Sequence, residues 1–512
     1  MAPDVDTLPD DPKLLKSVLR AVLEDNRKLE DELALLKRAQ FGRKSERIVN
    51  EQLLMPFAPI PSPPPPPEPP AGPEGASDTA PAPSGPTRKK NGHGRRPLPS
   101  HLERKGIDCD IPEGEKTCPH CHEKLKKIAE QIVERLEREP ATLVVQQFIK
   151  AVYACVNCHE CVKVAETPSA PIEKGLAGPG LLAQTIVNKY ADHLPLERQS
   201  SIYAREGVEL APSTLGEWIG VSADLLKPIV DELELEVRRS KVIHFDETRI
   251  RVMEPGRGET RPAGIAAYIG DDEHPGVVYR FSPNLSKDDL YAFLGSFEGF
   301  LQADADRGYD KLYTPGKRIE AACWAHARRQ FFDSIPTDPV NARGAIAWIR
   351  TLYDVEDVSR GRPPNEILAL RQERALPVLV KFEPWLKEIG ASVLPKSPMG
   401  RAIGYTLRNW AALRRYTEDG RLAIDNNVAE RALRQVAVGR KNWLFAGSDD
   451  GGRRAAIHLT LVQTCKRVGV NPWEYLRDVL MRVSTTPESA VADLMPHRWK
   501  AAHPAKPPAP VE

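Results

Sequence analysis

The sequence predicts a multidomain α+β protein with an α/β core, and three observations lead to this prediction. At 512 residues the chain is too long for one compact unit and is expected to form several domains. A proline-rich stretch separates an N-terminal helical segment from the remainder. Beyond that stretch, apolar runs of strand type alternate with segments of helical period.

Charge and hydropathy restrict the environment of the protein more than its ligands. The chain has 72 Lys and Arg against 71 Asp and Glu, so only local basic clusters can indicate nucleic acid. No apolar run approaches the about 18 residues of a membrane span. The N-terminus, MAPDVDTLPDD, is acidic, whereas a signal peptide begins with basic residues. We therefore expect a cytoplasmic protein without a membrane partner.

Residues 13–50 are predicted to form a leucine-zipper-like coiled coil. Apolar residues recur every seven positions in two adjoining rows, and one Asn lies in the second row. The rows consist of Leu15, Val22, Leu29 and Leu36, and of Leu19, Asn26 and Leu33. Because a polar Asn in a two-stranded seam fixes register and pairing, the pattern favours a homodimer. The alternative is an amphipathic helix that packs against its own chain.

Residues 51–97 are predicted to form a stiff linker that ends in a basic arm. Fourteen prolines lie between positions 56 and 86, which prevents a packed core and favours an extended chain. The basic residues that follow have no acid among them, and such an arm can contact DNA phosphates without reading sequence. They are Arg88, Lys89, Lys90, Arg95 and Arg96. The alternative is a solvated linker end.

Residues 98–166 are predicted to form a zinc-binding domain. Two C-x₂-C pairs, at Cys118 and Cys121 and at Cys155 and Cys158, can place four thiolates around a structural Zn²⁺. A redox pair or ordinary buried cysteines are the alternative. The fourth ligand stays open, because Cys161 also forms a C-x₂-C pair with Cys158. The other possible substitutes are His120, His122 and His159. At the position of His122, such zinc knuckles often have Gly.

Residues 167–237 are predicted to be helical and to bind DNA. The segment LERQSSIYAREGVELAPSTLGEWIGVSADLL has the outline of a helix, a Gly-containing turn and a second helix with Ser213 as its N-cap. A helix-turn-helix of this kind can place its second helix in a major groove. The exposed face of that helix offers almost no basic residue, so a purely structural pair of helices is the alternative.

Residues 238–440 are predicted to form the α/β core. VIHFDETRIRVM, PAGIAAYIG and GVVYRFS are strand-like runs that favour an antiparallel meander, and a helix over residues 287–297 follows. GFLQAD supplies a fourth strand, and RIEAACWAHARRQFF a fifth strand that passes into a helix. A helical insertion is predicted at about 340–413, a C-terminal helical region at 441–485 and a disordered tail, rich in Pro, Ala and Lys, at 486–512.

Three acidic residues of this core are the candidate catalytic and metal-binding residues. Asp246 and Asp304 each close a strand-type run, and Glu430 lies in a stretch of helical period, so these side chains can converge. Carboxylate oxygens are the ligands that Mg²⁺ prefers, and Mn²⁺ also accepts them. Two such ions about 3.5–4 Å apart can catalyse phosphoryl transfer. Asp306 competes with Asp304 for its role.

Several cationic residues near these acids are further candidates. His326 in CWAHARR can contact a substrate phosphate or orient a carboxylate, or it is a helix residue satisfied by its neighbours. For Glu430, an ordinary helical Glu–Arg pair is the alternative. The basic side chains can contact DNA phosphates without sequence preference. They are Arg328, Arg329, Arg434, Arg440 and Lys441.

Seven pieces of the sequence carry a family resemblance. They are FGRKSER, CPHC with CVNC, FDET, LQAD, CWAHARR, DNNVAERALR and WLFAGSDDGGRRAA. In these pieces and their order, the chain resembles the large transposase of insertion-sequence-66-type elements, a bacterial branch of the DDE transposases. The resemblance implies a ribonuclease-H-like catalytic fold in which Asp246, Asp304 and Glu430 hold Mg²⁺. At position 305 the chain has Ala where the family usually has Gly.

The resemblance also implies a function and partners. Such enzymes bind the terminal repeats of their element as double-stranded DNA, cleave strands and join the freed 3′-hydroxyls to target DNA. The zipper and the zinc-binding domain fit this family, and small accessory proteins encoded by the same element are further partners. The alternative from another class is a catalytically silent DNA-binding regulator derived from a transposase. A ribonuclease or junction resolvase of the same fold is a further alternative.

Overall fold

The structure is a computed structural model that describes residues 98–139, 142–157, 161–173, 175–254, 256–285, 288–313 and 316–504. Within them the fold is a mixture of helices and strands with two sheets. The predicted coiled coil of residues 13–50 lies outside the described residues, and so do the linker of residues 51–97 with its basic arm and Cys158.

An N-terminal sheet of four strands precedes the helices. Its strands are β1 (Glu103–Cys109), β2 (Lys126–Glu139), β3 (Thr142–Ala154) and β4 (Val162–Val164). β2 and β3 are antiparallel, β1 runs parallel to β3, and β4 pairs antiparallel with β3. A small separate core that includes Phe148, Tyr153 and four buried cysteines packs here.

Three helices connect this sheet to the second one. They are α1 (Pro179–Tyr190), α2 (Leu196–Arg205) and α3 (Pro212–Arg238). The predicted N-cap at Ser213 is wrong: Ala211 is the N-cap, and Pro212 takes the first helical position, where its missing N–H costs nothing. Along its whole length α3 buries apolar residues in the main core. The predicted pair of helices is present, and α3 is a central packing element.

The second sheet has five strands. They are β5 (Val242–Met253), β6 (Thr260–Ile269), β7 (Val277–Ser282), β8 (Gly299–Gln302) and β9 (Arg318–Ala321). Their spatial order is β7-β6-β5-β8-β9. β6 is antiparallel to both β5 and β7, whereas β8 runs parallel to β5 and β9 runs parallel to β8. Helix α4 (Asp288–Leu294) lies between β7 and β8 in the chain. The predicted antiparallel meander is therefore confirmed.

Helices follow β9 without further strands up to residue 414. They are α5 (Trp324–Ser334), α6 (Pro339–Ser359), α7 (Pro364–Leu370), α8 (Leu376–Ser392), α9 (Pro398–Arg408) and α10 (Trp410–Arg414). They form a second hydrophobic core in which the Trp324 ring stacks on Phe382 with ring centroids 6.1 Å apart. The Trp324 Nε1 donates to the Leu413 carbonyl at 2.8 Å, which ties α5 to α10.

Four helices complete the described chain. They are α11 (Asn427–Trp443), α12 (Asp449–Val468), α13 (Pro472–Arg482) and α14 (Pro496–Ala502). The predicted disordered tail is wrong for residues 486–504, because Val491, Leu494 and Met495 are buried and Trp499 packs on Tyr475. Those apolar side chains gain enough by burial to order a segment of polar composition. Among the described residues, no helix has the length and apolar character needed to cross a membrane.

Candidate functional site

The register of two parallel strands brings Asp246 and Asp304 side by side. In β5 and β8, His244 pairs with Gln302, and each acid follows two residues later on its own segment. Because neighbouring strands lie about 4.8 Å apart, the two carboxylates share one edge of the sheet. Both are partly buried. The two acids thus meet where β8 has ended and β5 continues beside β6.

Helix α11 carries Glu430 to the same place, and Asn426 fixes the start of that helix. The Asn426 Nδ2 donates to the Phe245 carbonyl at 2.8 Å, and its Oδ1 lies 3.1 Å from the His244 Nδ1. Burial lowers the pKa of His244 to about 4, so the neutral imidazole donates this bond. The fully buried Asn426 therefore ties the helix of Glu430 to the strand of Asp246.

The three carboxylates act on one another electrostatically. Burial, and after it the negative charges of Asp304 and Glu430, raise the pKa of Asp246 to about 7. The backbone N–H of Glu247, 2.8 Å from the Asp246 Oδ1, opposes this shift only in part. Like charges gathered in a partly desolvated place favour a bound cation, which would remove the repulsion.

Asp304 and Asp306 differ in what their side chains do. The exposed Asp306 caps the 3₁₀ helix Arg307–Leu312 by accepting the N–H of Gly308 at 2.6 Å. Asp304 accepts the N–H of Asp306 at a longer 3.2 Å and is held by its backbone, since the Tyr405 hydroxyl donates to its carbonyl at 2.6 Å. Asp306 thus has a local structural role, while Asp304 adjoins the carboxylate of Asp246.

Cys323 and His326 complete the surroundings of Glu430. The His326 Nδ1 lies 3.6 Å from the Glu430 Oε1, and the ligand atoms of these three residues all lie within 4.8 Å of one another. The buried Cys323 sulfur accepts the N–H of Asn426 at 3.1 Å, and burial raises the pKa of this thiol to about 12. The geometry thus places His326 beside Glu430, one of the three candidate carboxylates.

Sequence reasoning missed three residues that build the site. Besides Asn426 and Cys323, the fully buried Gln302 donates from Nε2 to the Ala423 carbonyl at 2.6 Å, joining β8 to the segment before α11. The available signal was a polar residue in an otherwise apolar strand run, as in LQAD. Such a residue needs a partner when it is buried.

The predicted DNA-contacting cations divide into two groups. The Arg440 Nη1 donates to the Thr248 Oγ1 at 3.1 Å and to the Arg249 carbonyl, so it fastens α11 to β5. Arg329, Arg434 and Lys441 are exposed, and Arg328 is half-buried. The three exposed side chains present most charge to solvent.

Three of the four predicted zinc ligands cluster. The sulfurs of Cys118, Cys121 and Cys155 lie within 4.8 Å of one another, with 3.3 Å between those of Cys121 and Cys155. His122, at the position where such knuckles often have Gly, has φ 57°, in the left-handed region that Gly adopts most easily. Cys161 is buried nearby, and its carbonyl accepts the N–H of Cys155 at 3.0 Å. Three convergent thiols suit Zn²⁺.

Comparisons with known proteins agree with this architecture along the chain. The family described as "Transposase IS66 family" matches residues 174–454, and the "zinc-finger binding domain of transposase IS66" matches residues 115–159. The "IS66 C-terminal element" matches residues 460–497, and "Transposase C of IS166 homeodomain" matches residues 28–107.

Two proteins of Sinorhizobium fredii are similar over most of their length. The uncharacterized protein y4qI is 35% identical over 508 residues, which covers 95% of this chain and 91% of the relative. The uncharacterized protein y4jD is 33% identical over 419 residues, covering 79% and 82% respectively. With a family match over more than half of its residues, the chain belongs to the IS66 family of transposases.

Proposed function

We propose that this transposase is a DDE-type enzyme that binds the ends of its element, cleaves them and transfers the freed strands to target DNA. The observation that carries the proposal is the convergence of Asp246, Asp304 and Glu430 at one edge of the five-stranded sheet. A ribonuclease-H-like core accounts for that sheet, since three antiparallel strands are followed by two parallel ones on the other side of β5.

The donor set fits hard divalent cations. All three groups offer carboxylate oxygens, the ligands that Mg²⁺ prefers and Mn²⁺ accepts. Bound ions of this kind supply charge neutralisation and an activated attacking water or 3′-hydroxyl. Asp246, Asp304 and Glu430 would hold these ions, with Asp246 and Asp304 the residues that both ions would share. The partial exposure of all three leaves room for the DNA phosphate.

The remaining parts hold the DNA and the assembly. The exposed cations Arg329, Arg434 and Lys441 contact phosphates, which requires no reading of sequence. A structural Zn²⁺ is held by Cys118, Cys121, Cys155 and Cys158, with Cys161 as the alternative fourth ligand. Residues 13–50 pair two copies as a homodimer, and small accessory proteins of the element assist. DNA as substrate places the enzyme in the cytoplasm, at the nucleoid.

The test is metal-dependent nicking of DNA taken from both flanks of this protein's own gene. Wild type is compared with Glu430→Gln and with Asp306→Asn in Mg²⁺ or Mn²⁺. We expect wild type and Asp306→Asn to nick at a defined position, and Glu430→Gln to be slower by about a hundredfold or more, the typical cost of losing one electrostatic stabiliser.

Two outcomes would contradict the proposal. If all three proteins bind the flanks and none nicks, even with the neighbouring small proteins added, the chain is a DNA-binding regulator without catalysis. If Asp306→Asn loses nicking as completely as Glu430→Gln, the assignment of Asp304 is wrong.

A further inference from the structure

The turn that ends α11 combines strained backbone with an exposed apolar side chain. Leu444 has φ 58° and ψ −47°, and the N–H of Phe445 bonds to the Trp443 carbonyl at 2.7 Å, which closes a three-residue turn. This γ-turn geometry with positive φ is rare and strained, because a side chain makes it costly. Leu444 is nevertheless 64% exposed, so its burial does not repay that cost. Outliers of this kind cluster at functional sites.

The turn is held rigidly on the strand that carries Asp246. The N–H of Ala446 donates to the Arg251 carbonyl at 2.8 Å, and the N–H of Met253 donates to the Ala446 carbonyl at 2.8 Å. Two backbone bonds to β5 therefore fix the segment just beyond the exposed tip. A loop fastened this way presents its apolar side chain in one orientation.

The lengths of β5 and α11 each give an approximate span from the acids to this turn. Along β5, Val252 bridges to Ala446 and lies six residues beyond Asp246, or about 20 Å at about 3.3 Å per residue. Along α11, Leu444 lies fourteen residues beyond Glu430, or about 21 Å at about 1.5 Å per residue. Either span corresponds to about six base pairs at about 3.4 Å each.

The surface between the acids and the tip is cationic. Arg434 and Lys441 are exposed on α11 within that span, and Arg431 is exposed beside them. These side chains match the phosphates of a duplex that runs from the acids toward the tip. In a duplex bound along this track, the stacked bases are the apolar surface that Leu444 can contact, since phosphate and sugar cover the outside of the duplex.

We propose that Leu444 is an apolar wedge that enters the base stack of bound duplex DNA about six base pairs from the phosphate that is cut. Phe445, 37% exposed, lies next to it and contacts the opened step. The wedge rests on the proposed function in that duplex DNA is its ligand. Opening one step bends the duplex and fixes its position along the basic track, so the scissile phosphate is placed at the carboxylates.

The experiment uses the full chain and duplexes from the gene's own flanks, with 2-aminopurine at successive positions around the nick. This base fluoresces more strongly when it loses its stacking neighbours. With wild type we expect a rise confined to one or two adjacent positions, about six base pairs from the nick by the spans above. Leu444→Met, which keeps an apolar side chain, retains the rise, whereas Leu444→Gln and Leu444→Gly lose it.

Leu444→Gly separates the wedge from a purely structural role. Gly accepts the positive φ, so this variant melts at the same temperature as wild type or higher while it binds flank DNA about tenfold more weakly. The salt dependence of binding keeps its slope, because no phosphate contact is removed. The matched control is Leu235→Ala, which truncates another exposed Leu near the end of α3 and leaves the fluorescence unchanged.

The outcomes distinguish this inference from the function on which it rests. If wild type does not bind the flanks, both are overturned. If wild type binds and nicks but no position gains fluorescence, or if Leu444→Gly gives the same gain as wild type, the wedge alone is overturned.

Discussion

The cysteine cluster and the acidic cluster are built in opposite ways. Cys118 and Cys155 are 0% and 1% exposed, and with Cys121 they converge within a small core of their own. Asp246 and Glu430, in contrast, are partly exposed and come from elements of the main domain. A closed site around soft sulfur excludes other ligands, while an open site of hard oxygen leaves positions for a substrate.

The two clusters also differ in what supports them. At the acidic cluster the protein itself supplies the framework, through buried bonds of Asn426 and Gln302 that join strands to α11. At the cysteine cluster the surrounding core is small and buries little apolar surface, whereas the far ends of β2 and β3 place Leu136 and Val145 in the main core. We therefore expect metal to stabilise the fold at the cysteine cluster and to serve chemistry at the acidic cluster.

Removing zinc is expected to have the largest effect on the fold. Cys121→Ser or a zinc chelator should unfold the cysteine end of this sheet, because structural Zn²⁺ contributes on the order of 10 kcal/mol in small domains. Hydrogen exchange followed by mass spectrometry, with zinc content measured in parallel, should show lost protection around the cysteines, where Lys126 pairs with Ala154, while the pair of Leu136 and Val145 in the main core stays protected. Protection in residues 242–253 should persist as the internal control.

The same measurement identifies the fourth ligand. Cys158→Ser should release zinc, while Cys161→Ser should retain it. The reverse result would make Cys161 the ligand, and unchanged protection of β2 and β3 after complete zinc loss would remove the contrast between the two regions.

A smaller and opposite effect is expected at the acidic cluster. The folded pKa of Asp246, about 7, lies above its ordinary value of 3.8, so ionisation of this group destabilises the fold. The penalty is absent below about pH 4, grows as pH rises and is complete above about pH 7. Asp246→Asn should therefore raise the free energy of unfolding by a few kcal/mol at pH 8, at about 1.4 kcal/mol per pKa unit.

Thermal denaturation at pH 8 and pH 5, in buffer free of Mg²⁺ and Mn²⁺, measures this gain. It should shrink at the lower pH, and in Mg²⁺ wild type should recover stability that the variant cannot. Asp306→Asn is the control, because this exposed side chain caps the 3₁₀ helix Arg307–Leu312 and is not one of the three clustered carboxylates. An Asp246→Asn gain that is independent of pH would contradict the electrostatic origin.

Local sequence patterns predicted the strands and helices that carry both clusters. They did not predict the hydrogen bonds between residues far apart in sequence that bring these elements together. Strand-type runs ending near Asp246 and Asp304 follow from alternation and apolar content, which a short window contains. The bond between His244 and Asn426 joins residues 182 positions apart, and no window spans it. For Arg440, likewise, the sequence shows the charge that suggests a DNA contact, whereas its partner on β5 is visible only in the structure.

The tail shows a different reason for failure. Its average composition is that of a disordered segment, and this average outweighed the few apolar side chains within it. Val491, Leu494 and Met495 nevertheless bury almost completely. A handful of correctly spaced apolar residues suffices when a folded surface is already present to receive them.

Ala305 stands where the resembled family usually has Gly, and its backbone conformation explains why Gly is usual there. The resemblance places Gly at this position, and the residue has φ 58°, directly between Asp304 and the cap at Asp306. A side chain in this region of backbone conformation costs about 1 kcal/mol. Gly removes that cost but gives the unfolded chain more conformational entropy, which offsets part of the stabilisation. Ala305→Gly should therefore stabilise the protein by up to about 1 kcal/mol without slowing nicking.

Chemical denaturation compares this variant with Ala303→Gly, two residues earlier. Ala303 is fully buried and, within the described chain, is not among the residues of positive φ, so its replacement should lower the free energy of unfolding by about 1 kcal/mol. Opposite signs at two neighbouring alanines would show that the acidic cluster carries backbone strain next to its second carboxylate. Equal losses at both would mean that the Ala305 methyl group contributes more by packing than its backbone costs.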